Sequence, residues 1–277
     1  MSLLSKLETV SASVGHLLRS PRESLRGLAR QTDFLRGTRF ARLWGTTTIN
    51  ERVEAVASQG ENDASNPLRA YFDAVTEGPG VWKWRHYFDV YHRHLHKFVG
   101  REVTVVEVGV FGGGSLRMWR HYFCEDCSVH GVDIQEACKA YKDSHTTIHI
   151  GDQEDRVFWQ QFRESTPSVD VLIDDGGHLP EQQMVTLEEM LPHLRPGGVY
   201  ICEDVHRAGN GFAAFVHSLA DGLNAFDPGA QHQLTSTPTP FQAAVYSIHL
   251  YPFVVVIEKR GTVLSNFSAP KHGSRWS

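Results

Sequence analysis

From residue 101 onward, apolar runs of strand length recur along the chain, separated by glycine turns and stretches of helical spacing. The runs fall at 103–110, 129–133, 146–150, 169–174 and 199–203. Phe158 and Phe162 share one helical face in 155–162, and a helix is expected over 180–194 with Pro180 near its start. Strands that alternate with helices in this way run parallel, because each return to the sheet needs a long crossover. Two further runs, 244–250 and 253–258, are separated only by Tyr251-Pro252. So short a link forces that pair to be antiparallel. The expected architecture is therefore α/β: a doubly wound, mostly parallel sheet of seven strands with an antiparallel C-terminal pair.

A chain of 277 residues accommodates one large domain with an appendage. At 41% hydrophobic and 21% charged residues, a wholly disordered chain and a coiled coil are both excluded. The expected organisation is an N-terminal helical region over 1–57, a polar linker over 58–80, the main domain over 81–260 and a tail over 261–277. A helix is expected over 82–98. Leu3, Leu7, Val10, Val14 and Leu17 form one helical face, and Ser20-Pro21-Arg22-Glu23 marks a second helix start. Residues 1–44 carry eight Lys and Arg against three acids, a net of +5, so the remaining residues carry −10 of the overall −5. Such a segment reads as a packing element between subunits of a homo-oligomer, with an organelle-targeting role as the alternative. No apolar run reaches the roughly 18 residues of a membrane span, and no secretory leader is evident, so a cytoplasmic location is expected. The acidic balance argues against nucleic acid as a partner. Cys124, Cys127, Cys138 and Cys202 do not make a disulfide framework. Cys124 and Cys127, with His121 and His130 three residues to either side, read as thiols near a strand start rather than as a zinc site.

Ligands of open α/β sheets bind beyond the carboxyl ends of the strands. After the first strand come Gly109, Gly112, Gly113 and Gly114, with Glu107 inside the strand. The dinucleotide fingerprint is missing, since Phe111 stands where its second glycine belongs. Asp133 ends the second strand, 26 residues beyond Glu107, a place from which an acid holds ribose hydroxyls. Gly151-Asp152-Gln153 follows the third strand, within reach of an adenine edge. The fourth strand ends in Asp174-Asp175-Gly176-Gly177-His178 and the fifth in Glu203-Asp204. Carboxylates gathered in one pocket repel, so some are protonated or a cation sits among them. Oxygen donors suit Mg²⁺, Ca²⁺ or Mn²⁺. His178, beside the acids, is a candidate general base. Trp82, Trp84 and Tyr87 either line the mouth of the pocket or pack into the core, and core packing is expected for at least two of them.

The run Val105-Val106-Glu107-Val108-Gly109-Val110-Phe111-Gly112-Gly113-Gly114-Ser115, with Gly131-Val132-Asp133, resembles the cofactor motifs of class I S-adenosylmethionine-dependent methyltransferases. Ile173-Asp174-Asp175-Gly176-Gly177-His178, Arg195-Pro196-Gly197-Gly198 and Glu203-Asp204 are similar to the metal-dependent macrolide-sugar O-methyltransferases of the mycinamicin type. The resemblance covers 81–258 and implies a Rossmann-like fold. It implies cofactor contacts from Glu107, Gly109, Ser115, Asp133, Asp152, Gln153 and Asp174. It also implies Mg²⁺ or Mn²⁺ on Asp175, Glu203 and Asp204, with His178 as base. The activity so implied is O-methylation of a sugar or other small diol-type acceptor by S-adenosylmethionine. The alternatives are a catechol-type O-methyltransferase, a dinucleotide-dependent dehydrogenase, or a non-catalytic scaffold of the same fold.

Overall fold

The computed structural model describes residues 31–42 except 33, 66–166, 168–206, 210–225 and 235–273. The stripe from Leu3 to Leu17 and the Ser20 helix start lie outside the described residues. The chain divides into two units, Met1–Asp63 and Ala64–Ser277. In the first, 34–42 is helical. Among the described residues no helix is long and apolar enough to cross a membrane.

The second unit begins with α1 (Pro67–Ala74), which lies inside the span expected to be a linker. Its local signals are complete: Asn66 accepts hydrogen bonds from the Leu68 and Arg69 amides, and Pro67 opens the first turn. Leu68 is fully buried, so this helix belongs to the core. Next come α2 (Tyr87–Leu95) with a 3₁₀ turn at His96–Phe98, β1 (Thr104–Val108), α3 (Gly114–Phe123) and β2 (Ser128–Asp133). They are followed by β3 (Thr146–Ile150), α4 (Arg156–Ser165), β4 (Val169–Asp174), α5 (Pro180–Met190), β5 (Leu194–Cys202) and α6 (Gly211–Leu223). The C-terminal part holds β6 (Thr235–Ser236), α7 (Pro240–Ala244), β7 (Val245–Tyr251), β8 (Val254–Lys259) and β9 (Phe267–Ser268). The helix expected over 82–98 starts five residues later, because 82–86 lead away from it toward the strand ends.

The main sheet has seven strands in the order β3-β2-β1-β4-β5-β8-β7. The first five are parallel, while β8 pairs antiparallel with both β5 and β7. Because successive side chains of a strand point to opposite faces, the all-apolar strands feed two cores. Val105, Val171, Ile173, Val199, Ile201 and Val256 pack with Tyr91, Trp119 and Phe123 of α2 and α3. Val106, Val108, Leu172, Tyr200 and Ile257 pack with Trp159, Phe162, Met190 and Phe212 of α4, α5 and α6. The order reverses between β1 and β4, whose neighbouring carboxyl ends open a crevice. The same alternation decides the fate of the acids: Glu107 and Asp175 fall on the α2/α3 face, and Asp174 on the other.

Candidate active site

A cavity of about 740 Å³ opens at the carboxyl ends of the parallel strands. Its walls come from the β1–α3 loop, the ends of β2, β3, β4 and β5, and the segment before α2. Gly109 is fixed there by geometry. Its φ is +90°, and a Cβ would lie 2.0 Å from the Asp175 carbonyl oxygen. The loop after β1 therefore touches the backbone of the loop after β4. Gly114 does the same for the segment before α2, since a Cβ on it would lie 2.3 Å from the Gly80 carbonyl oxygen. That contact brings 80–84 over the cavity.

At the β2 end, Asp133 Oδ2 accepts hydrogen bonds from the Val110 and Phe111 amides at 2.9 and 3.2 Å, and Oδ1 from the Gln135 amide at 2.8 Å. Asp133 lines the cavity while shaping the glycine loop. Asp152 and Gln153 line it as well. The Gln153 side chain is turned inward: Nε2 donates to Asp174 Oδ1 and Thr186 Oγ1, and Oε1 accepts from the Gly177 amide. Its carboxamide is thus committed to tying β4's end loop in place.

Two residues expected around the cofactor do not line the cavity. Asp174 is buried on the α4/α5 face, where Tyr200 and Gln153 donate to it. Burial pushes its carboxyl up to about 7. Period-two alternation explains the displacement, because Asp174 follows Leu172 and not Ile173 in facing. Glu107 is also fully buried; Ser115 Oγ donates to it at 2.6 Å and Lys83 Nζ at 3.2 Å.

Lys83 is the residue that sequence reasoning missed. Its ammonium is buried and contacts Asp175 Oδ2 at 2.6 Å, Glu203 Oε1 at 3.0 Å and Glu107 Oε1 at 3.2 Å. Burial opposes its charge, but the carboxylates outweigh it and hold the ammonium well above its ordinary pKa. Glu203 receives a further hydrogen bond from Tyr91 at 2.6 Å, and burial raises its carboxyl well above the usual range. Glu203 Oε1 thus accepts from both Lys83 and Tyr91, and Oε2 from Lys83. Glu203, expected as a metal ligand, also lines the cavity, but both of its oxygens face the Lys83 ammonium, and the group of donor atoms that gathers around His178 consists of Asp175, His178 and Asp204. No sequence pattern marks Lys83, 24, 92 and 120 residues from its partners.

Of the cavity-lining acids, Asp175 and Asp204 are the two that stand beside His178. Asp204 stands at φ 53° after β5, with Oδ1 held by Tyr87 Oη at 2.7 Å and Trp84 Nε1 at 3.1 Å. His178, at φ 58°, points Nε2 between them, 3.5 Å from Asp204 Oδ2 and 3.9 Å from Asp175 Oδ1. Its Nδ1 is buried without a hydrogen-bond partner. Each of these three side chains offers one donor atom, all within 4.8 Å of one another. Two carboxylates with open coordination space match the way Mg²⁺ is bound, through one or two acids plus water and substrate oxygens. The donor set thus fits a hard divalent ion on Asp175 and Asp204. Trp82 and Trp84 are exposed and Tyr87 is buried, yet all three line the cavity, so the expected core packing applies to Tyr87 alone. Cys124 and Cys127 are free thiols, and no metal-binding group among the described residues includes them.

Comparison with known proteins places this geometry. A family described as a methyltransferase domain matches residues 106–205. The 8-demethyl-8-alpha-L-rhamnosyl tetracenomycin-C 2'-O-methyltransferase of Streptomyces olivaceus is 30% identical over 68% of this chain and 53% of its own. The mycinamicin VI 2''-O-methyltransferase of Micromonospora griseorubida is 31% identical over 76% of this chain and 55% of its own. Among solved structures, the MycE methyltransferase of the mycinamycin biosynthetic pathway, in complex with Mg and SAH, superposes with a TM-score of 0.56 at 25% identity. That match covers 70% of this chain and 54% of the other. The chain spans about half the length of these relatives.

Proposed function

We propose that this chain, whose residues 106–205 match a family described as a methyltransferase domain, transfers the methyl group of S-adenosylmethionine to a hydroxyl of a sugar or other small diol, with a divalent ion on Asp175 and Asp204 and His178 as base. The observation that carries the reading is the convergence of Asp175, His178 and Asp204 in the same cavity as the Gly109 loop and Asp133. Relatives named as sugar O-methyltransferases, and a neighbour bound to Mg and SAH, support the acceptor class and the cofactors.

When bound, the cofactor supplies an electrophilic sulfonium methyl and the divalent ion makes the acceptor hydroxyl more acidic. The chain's own residues do the rest. Asp133 shapes the glycine loop and, with Asp152, faces the ribose and adenine. Lys83 balances the buried charge of Glu203 and Glu107, and leaves Asp175 Oδ1 and Asp204 Oδ2 as the carboxylate oxygens beside His178. Trp84 and Tyr87 fix the rotamer of Asp204 through its Oδ1, leaving Oδ2 toward His178. His178 takes the acceptor's proton through Nε2, and the imidazolium so formed lies between two carboxylates that stabilise it. The oxygen gains the methyl, the S–CH₃ bond breaks, and the sulfonium becomes a neutral sulfide.

The test is incubation of the chain with S-adenosylmethionine, Mg²⁺ and a panel of rhamnosyl and macrolide glycosides, followed by mass spectrometry for a methyl gain on the sugar. Methylation of a catechol but of no glycoside would replace the sugar reading by the catechol one. Failure to bind the cofactor by calorimetry would leave a scaffold of the same fold. A homo-oligomer is part of the same proposal, supported by the apolar stripe Leu3, Leu7, Val10, Val14 and Leu17. Light scattering of a chain lacking 1–57 checks it, and an unchanged mass would remove this role.

A further inference from the structure

A second group of ligand-type side chains lies on the α2 face of the sheet, among residues that do not line the cavity. His94 sits in the last turn of α2, His249 on the edge strand β7 and Glu258 on β8. A ring nitrogen of each histidine and a carboxylate oxygen of Glu258 all lie within 4.8 Å of one another. His94 is buried and the other two half-buried, so the group is closed on one side and reachable from solvent on the other.

We propose that His94, His249 and Glu258 form a binding site for a divalent transition ion of the zinc type, which fastens the end of α2 to the β7–β8 pair. Two imidazoles and one carboxylate are borderline donors suited to Zn²⁺ and poorly suited to Mg²⁺. The surrounding shell is that of a metal site. His94 Nδ1 meets Glu258 Oε1 at 2.5 Å, while its Nε2 is 2.9 Å from the Tyr251 hydroxyl. His249 Nε2 is 2.9 Å from Ser247 Oγ. One nitrogen of each ring thus meets a hydroxyl, the kind of outer contact that orients ligating histidines, and the other nitrogen of His94 is the one that meets Glu258. The ion would replace the direct contact between His94 Nδ1 and Glu258 Oε1.

The strands set the register. Ser247, His249 and Tyr251 alternate along β7 and so share a face, and Ser247 stands opposite Glu258. Two cations oppose the site. Lys97 Nζ lies 3.2 Å from Glu258 Oε2, and Arg93 acts on His249. Lys97 is one-third exposed and can turn to water, freeing Oε2. One turn before His94 on the same helix, Tyr91 holds Glu203, and one turn further Tyr87 holds Asp204. An ion at this site therefore stiffens the helix that positions the cavity's acids, without itself entering the cavity.

The probe is Co²⁺, displaced by Zn²⁺, titrated into the full chain stripped of metal, carrying Asp175→Asn and Asp204→Asn so that the cavity contributes nothing. The expected result is one equivalent of Co²⁺ with the visible absorption of low-coordinate nitrogen and oxygen ligation, and a melting temperature raised by Zn²⁺ but not by Mg²⁺. His249→Gln should lower the Zn²⁺ affinity at least about 100-fold while leaving the circular dichroism spectrum unchanged. If the double variant does not fold, stoichiometry in the otherwise unaltered chain decides: His249→Gln should remove one equivalent. No Co²⁺ spectrum in a folded chain, or equal Zn²⁺ binding with and without His249, would overturn the site.

Discussion

Lys83 neutralises one oxygen of Asp175 and leaves the other to the cavity: Nζ lies 2.6 Å from Oδ2, while Oδ1 faces His178 Nε2 at 3.9 Å. A single carboxylate therefore ends a buried ionic network and begins the reactive surface. Removing the ammonium strands Glu107 and Glu203 in the interior. Lys83→Met should lower stability by about 3–5 kcal/mol, the cost of breaking a buried pair from one side. Urea unfolding checks it, and a loss below about 1 kcal/mol would mean that the acids are neutral without Lys83.

The acids divide by role. Asp175→Asn and Asp204→Asn should each weaken Mg²⁺ or Mn²⁺ binding and turnover, and excess chelator should abolish turnover until metal is restored. Glu203→Gln should leave metal affinity within a few-fold and instead lower stability, because its partners are Lys83 and Tyr91. Calorimetric metal titration of the three variants decides. A Glu203→Gln chain as metal-deficient as Asp204→Asn would return Glu203 to the ligand set.

His178→Ala should lower kcat by about 10²–10⁴, with cofactor affinity unchanged. The pH–rate profile should lose its acidic limb, since a protonated imidazole accepts nothing. A variant with near-normal kcat would take the base role away from His178.

Asp133→Ala should weaken cofactor binding by roughly 1.5–3 kcal/mol, the range for hydrogen bonds involving a charged group. The loss has two sources, the ribose contact and the release of the Val110 and Phe111 amides. Affinity measured for S-adenosylhomocysteine separates them: Asp133→Asn keeps an acceptor for the amides and should retain more of the binding than Asp133→Ala. Equal losses would confine Asp133 to the ribose.

Across the β2–β3 pair, His130 Nδ1 and His149 Nε2 lie 3.0 Å apart. Burial, then the neighbouring His149, lowers His130 to about 4, and burial lowers His149 too. Both rings are neutral in the folded chain and gain protons more readily unfolded. Their contribution is full above pH 6.5 and is lost as pH falls from about 6.5 to about 4. At about 1.4 kcal/mol per pKa unit, His130 accounts for roughly 3 kcal/mol at most. Urea midpoints between pH 4.5 and 7 should therefore fall more steeply for the parent than for His130→Gln. Parallel curves would show that the pair does not couple to folding.

The sheet was legible because its signals are local. Apolar runs, glycine turns and the two-residue link before β8 carry their meaning within a few positions. The acids at the strand ends were legible for the same reason, since a strand end can be read from its run. What the sequence did not reveal depended on facing or on distance. Asp174 and Asp175 are adjacent, and only the strand's alternation sends one to each face. Gln153 ends its strand correctly but spends its amide on Asp174 and Gly177. Lys83 stands alone in an aromatic stretch with no motif around it, and its purpose exists only once β1, β4 and β5 lie side by side. Asn66-Pro67 was a helix start in plain view, read as linker because of the polar residues before it.

That Lys83 reaches partners 24, 92 and 120 residues away bears on how the chain comes off the ribosome. Contacts of such sequence separation close late, after the entropy of long loops has been overcome. While the first half emerges, the ammonium has Glu107 to meet, but Asp175 and Glu203 have not yet been synthesised. The network is complete only after residue 204 has cleared the exit tunnel and β5 has joined β4. Until then Glu107 is the one of the three carboxylates that the ammonium can reach. The cavity end of the sheet thus takes its form only once the second half of the domain has been made.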